Sequence, residues 1–177
     1  MGFFSKLFKS EKDNAKNKPD FSYIAEIAGL ITNNDAKVMK NINFCINNPK
    51  EYERQWEMRG IKSDDEDFYW LSMRDELEEG GFLFSVDYKC ELEDFLWALE
   101  RLKNYNLIDI DLSGLDLSED DDVEVWIREI NAALNGEACI GVVDIDSDSY
   151  ELIITTCETY KKISAAAENN GHLIKTF

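Results

Sequence analysis

With a single histidine, His172, and four scattered cysteines that form no CxxC pair, the chain lacks the close ligand set a zinc site needs. No stretch approaches the roughly 18 consecutive apolar residues of a membrane-spanning helix. A P-loop and a GxGxxG turn are both missing; "LSGLDLS" (112–118) offers one glycine, so nucleotide binding has no support. The opening "MGFFSKLFKSEKDNAKNK" has neither the apolar core nor the small-residue cleavage site of a secretory signal. Ser5 and Lys6 break the myristoylation pattern, so cytoplasmic residence is expected. Cys45, Cys90, Cys139 and Cys157 read as free thiols, three of them inside apolar runs.

Positive charge is also scarce. The formal net charge is −18, and it is unevenly placed. Residues 1–18 hold five lysines against Glu11 and Asp13, a net of +3; the remaining 14 basic and 35 acidic residues leave −21. Such a body repels nucleic acid and anionic membranes and attracts cations or basic proteins. Apolar residues make up 44% of the chain, enough for a real core, and the length suits one domain with a small appendage.

That appendage is residues 1–20. Phe3, Phe4, Leu7 and Phe8 fall on one face at helical spacing beside Lys6 and Lys9, and a polar linker follows as far as Pro19. Such an end is of the kind that touches a membrane surface, docks into a partner's groove or folds back on its own domain.

Residues 21–177 read as a single acidic α+β domain, helical over 21–80 and then β-α-β-α-β-β-α-β over 81–177. The expected architecture is a mixed or antiparallel sheet of about four to five strands layered with helices. Ile24, Ile27, Ala28, Leu30 and Ile31 repeat at helical steps, and a second helix is predicted over Ala36 to Ile46. Pro49 suits the first turn of a third, closed by Gly60. Ser63 and Glu66 form a capping box before a helix that ends at Gly80–Gly81. Strands are predicted at 82–88, at "LIDIDL" (107–112), in "ACIGVVDI" and "YELIITT", and in the final "HLIKTF". Between them, helices are predicted in "ELEDFLWALERLKN", after Ser118 and Asp121, and after a Thr155/Glu158 capping box.

"VVDIDSDSYELIITT" (142–156) alternates Asp144, Asp146 and Asp148 as a calcium loop would. An EF-hand loop also needs glycine at its sixth position and glutamate at its twelfth, where Ser149 and Thr155 stand. A hairpin turn is the better reading. A two-residue turn at Ser147–Asp148 sets Asp144 opposite Glu151, and like charges facing each other destabilise. A three-residue turn, Asp146 to Asp148, sets Asp144 opposite Tyr150.

Cys157 begins a predicted helix, where the dipole favours a thiolate, and His172 follows that helix as a conceivable base; the adjacent Glu158 opposes activation. "DIDLSGLDLSEDDDVE" (109–124) holds eight acids and no base, the mark of a solvated face. Of four tryptophans on predicted helices, Trp56 in the charged "EYERQWEMRG" is the expected exposed anchor.

The small acidic α+β body, its "MGFFSKLF" start and the lack of a catalytic motif resemble uncharacterised bacterial proteins, including immunity proteins of toxin systems. The resemblance implies a cytoplasmic binder that neutralises a toxin, often a basic nuclease, by covering its active site. The expected function is therefore a non-enzymatic protein-binding module with a basic protein partner, no cofactor and no metal. Its candidate surface is Asp109, Asp111, Asp116, Glu119, Asp120, Asp121 and Asp122, with Asp144, Asp146 and Asp148 as a second patch and Trp56 as anchor. The alternative is an enzyme or weak divalent-cation binder: carboxylate–metal hydrolysis around Asp144, or thiol chemistry at Cys157.

Overall fold

The computed structural model describes residues 20–108, 110–112 and 114–177. These form an α+β fold: one four-stranded, wholly antiparallel sheet between two helical layers. The strands are β1 (Leu83–Asp87), β2 (Ala138–Val143), β3 (Ser149–Thr156) and β4 (Ile174–Lys175), in the order β1-β3-β2-β4.

The helices are α1 (Ser22–Thr32), α2 (Ala36–Asn47), α3 (Pro49–Gln55), α4 (Phe68–Glu79), α5 (Leu92–Arg101), α6 (Lys103–Ile108), α7 (Val123–Ala133) and α8 (Cys157–Glu168). One sheet face carries Leu83, Val143, Ile153 and Ile174 against apolar residues of α1, α2, α4 and α8. The other carries Val86, Ile140, Val142, Leu152 and Ile154 against Phe95 and Leu99 of α5 and Trp126, Ile127 and Ile130 of α7. Leu152, Ile153 and Ile154 are each 0% exposed, so β3 is covered on both faces, and its near-continuous apolar run follows from that. Each such side chain contributes about 1.5–3 kcal/mol of burial. Gly141 lets α8 approach: a Cβ there would stand 3.1 Å from the Tyr160 ring.

Four local expectations are corrected. Among the described residues of 107–112 there is no strand. The chain breaks into an extended conformation at Leu102, restarts as the short α6, and then runs irregularly. Leu107 and Ile108 are the end of α6, and Ile108, Ile110 and Leu112 lean on the α5–α7 core while Leu107 is 74% exposed. Ser63 caps nothing, because its N–H and hydroxyl both donate to the Glu53 carboxylate, at 3.0 and 2.6 Å; α4 begins only at Phe68. The caps of α7 and α8 are Asp122 and Thr156, which accept from the N–H groups of Val125 and Thr159. Thr155 instead lies buried in β3.

The hairpin register is resolved. The β2–β3 ladder runs to Val143 opposite Glu151, so one further step sets Asp144 across from Tyr150. Glu151 faces the α4 layer, 1% exposed, where it accepts from Arg74 Nε at 2.7 Å and Ser85 Oγ at 2.9 Å. The repulsive register would forfeit these bonds.

Asn104 ties the layers where α6 begins. Its amide donates to the carbonyls of Ile31 on α1, at 2.9 Å, and Ile154 on β3, at 2.7 Å. Asn104→Ala strips both buried carbonyls of that donor, and urea unfolding is expected to show a loss of about 1–3 kcal/mol with unchanged m. A loss under about 0.5 kcal/mol contradicts that role.

Candidate acidic and aromatic groove

The alternation of β3 decides what the groove contains. Glu151 points to the α4 side, so Tyr150 beside it points to the α7 side. There its hydroxyl donates to Glu124 Oε1 at 3.0 Å, and its ring meets Phe177 edge-on at 6.1 Å between centroids. Burial first, then the bond to Glu124 and the charge of Asp122, push the Tyr150 phenol up to about 12. The phenol therefore stays protonated and donating at neutral pH.

Around this ring lies a groove of about 290 Å³. Tyr88, Tyr150 and Phe177 supply its aromatic surface, while Glu124, Asp144 and Asp148 supply carboxylates. Lys175 is the one cation among the described lining residues, and its Nζ is engaged by Asp144 Oδ2 at 2.5 Å. Tyr88 is anchored by its N–H, which donates to the Asp148 carbonyl at 3.2 Å. Burial opposes ionisation of Asp144, but Lys175 and the Asp146 N–H hold its carboxyl below the usual carboxylate range.

The structure gathers some of the expected residues and separates others. Asp144, Asp146 and Asp148 share the hairpin, with Asp146 at φ +55 and its N–H donating to Asp144 Oδ1 at 3.2 Å. Asp122 caps α7 close enough to influence Tyr150, so the acidic start of α7 and the hairpin meet at that ring. Glu119, Asp120 and Asp121 are exposed in the turn ahead of α7. Asp111 and Asp116 line a separate groove against α5, and Asp109 lies outside the described residues, as do Phe3, Phe4, Leu7 and Phe8.

Trp56 is not the exposed anchor. It is half-buried with Tyr52 and Phe68, beneath the Arg59 guanidinium at 4.1 Å, whereas Trp97 on α5 is 46% exposed. Of the charges near Trp56 in sequence, Arg59 is drawn inward, while Glu51, Arg54 and Glu57 stay exposed. Arg59 bonds Glu76 at 2.8 Å and Glu79 at 2.8 Å, and Tyr52 and Asn41 donate to Glu76 at 2.6 and 2.7 Å. This network has no linear signal, because its members come from α2, α3, the turn after α3, and α4.

Among the described residues neither enzymatic arrangement is assembled. Cys157 donates its thiol proton to the Ala138 carbonyl at 3.1 Å, while His172 stacks on Trp70 at 4.3 Å and 6°. They stand at opposite ends of α8, whose twelve residues span about 18 Å. Among the described residues no group of three His, Cys, Asp or Glu side chains is placed to hold a metal ion. Tyr88, Glu124, Tyr150 and Phe177 were not expected from the sequence as binding residues; the period-two pattern of β3 was the available signal for Tyr150.

Burial lowers the pKa of His172, against a smaller raising effect of Asp67. A base depressed in the folded state makes the unfolded chain the stronger proton binder. Its contribution is then fully present above about pH 6.5 and is lost as pH falls toward the folded value. His172→Phe, which keeps a ring against Trp70, is expected to narrow its stability deficit, or to overtake the parent, between pH 7 and pH 5 in urea titrations. A pH-independent difference contradicts the assignment.

A family model described as "Domain of unknown function (DUF6630)" matches residues 24–177. No curated protein and no solved structure matches the chain.

Proposed function

The chain belongs to the DUF6630 family, and we propose that it is a non-enzymatic cytoplasmic protein-binding module that engages a basic partner through the groove at Tyr150. One observation carries this reading: the hairpin carboxylates and the acidic start of α7 converge on an aromatic ring, and the lysine lining the groove is already paired. The −21 charge of residues 19–177 steers a cationic surface toward the molecule. A lysine or arginine of the partner then lies against the Tyr150 ring with the Asp148 carboxylate at its flank, a combination of cation–π and ionic contact, as Lys89 Nζ already stands 4.8 Å from the centroid of the neighbouring Tyr88 ring. Asp120, Asp121 and Glu119 extend the attracting field beyond the groove. An immunity-type role, covering the active surface of a basic toxin such as a nuclease, is the form of this function that the charge distribution supports. The hydrolytic alternative at Asp144 is less supported, because that carboxylate is engaged by Lys175.

A lysine- and arginine-rich peptide is the direct probe. Amide shifts are expected at Tyr88, over 147–150 and at Phe177. The association rate should fall by about tenfold or more as salt screens the field, and again in an Asp120→Lys/Asp148→Lys variant. A salt-independent rate, or shifts confined elsewhere, contradicts the proposal.

A further inference from the structure

The second groove, about 490 Å³, lies between α5 and residues 111–112 and 115–117. Its floor is aliphatic: Leu92, Leu96, Leu112 and Leu117 are half-buried and packed against the α5–α7 core. Its rim carries Glu100, Asp111 and Asp116, and no cation is among its described lining residues. An apolar trough with an acidic rim suits a segment that is both hydrophobic and basic.

The chain carries one such segment. Residues 1–9 contain Phe3, Phe4, Leu7 and Phe8 beside Lys6 and Lys9, and residues 1–18 have a net charge of +3 within a protein of net charge −18. Length permits the connection. The described residues begin at Asp20, just ahead of α1, which runs about 16 Å to its far end. There the Ile31 carbonyl bonds Asn104, and the next residue, Tyr105, lines the groove. The eleven residues 9–19 reach up to about 36 Å when extended, about twice the length of α1.

We propose that this groove is the seat of the chain's own residues 1–8, with the phenylalanines and Leu7 on the leucine floor and the lysines at the acidic rim. The assignment is independent of the partner reading for the Tyr150 groove, since it concerns different residues and needs no second molecule. It gives the leucine floor a cover and sets the basic segment against an acidic rim. Docking is expected to be intramolecular and weakened by salt.

The test uses the full chain at low salt, with labelled phenylalanine rings and leucine methyls, read by nuclear Overhauser contacts. Contacts from Phe3, Phe4 or Phe8 to Leu96 and Leu112 are expected, and they should vanish in Phe4→Asp/Phe8→Asp. A second variant, Glu100→Lys/Asp116→Lys, leaves the floor intact and should also lose them, with the rest of the spectrum preserved. Absent contacts, with residues 1–8 at random-coil shifts, overturn the proposal. So do contacts found only between differently labelled molecules, which assign the groove to a second copy. Phosphatidylglycerol vesicles should leave the contacts in place; transfer of the segment to the vesicles assigns it to membranes and overturns the proposal too.

Discussion

Glu151 lies in the strand at the centre of the sheet, 1% exposed, with Arg74 of α4 bonded to it at 2.7 Å. A carboxylate so deep in the fold is tolerated only with a cation and further donors, and Ser85 and Ser149 supply those at 2.9 and 2.7 Å. Because Glu151 pairs with Ser85 on one side and Val143 on the other, this cluster ties the register of both β3 ladders to the position of α4. A slip of one residue would turn Glu151 to the α5–α7 core, where Leu152 and Ile154 now lie, and place Tyr150 against α4.

The Tyr150 groove is a consequence of that constraint. With Glu151 inward on the α4 side, Tyr150 reaches Glu124, and Asp144 leaves the like-charge position for Lys175. The acidic turn that resembles a calcium loop is thus a rim element of an aromatic groove. On the α4 side the same rule recurs: Glu76 is 2% exposed and accepts from Tyr52, Arg59 and Asn41. In this acid-rich chain, buried carboxylates are matched by arginines while exposed ones outnumber the available cations, so excess negative charge collects at the surface.

Much of this fold was legible in the sequence. The apolar steps of α1, α2, α5 and α7 are strong because each helix buries one stripe, and β2 and β3 are apolar runs bounded by turn residues. Residues 107–112 misled because alternation reports which side chains face a core, not whether a neighbouring strand accepts the backbone. Ser63 misled because its hydroxyl is taken by Glu53. Trp56 looked exposed because local composition does not show that Arg59 folds over it. The site was half legible: the acids were visible, but Tyr88, Glu124, Tyr150 and Phe177 come from four separate elements.

The central claim is that the Arg74–Glu151 pair holds the register. Urea unfolding of Arg74→Met, measured in the native background and again with Glu151→Met, tests it most directly. Removing Arg74 alone leaves Glu151 buried without its cation and should cost about 3–5 kcal/mol; with Glu151 already replaced, that cost should fall by about half or more. Equal costs in the two backgrounds would contradict the account.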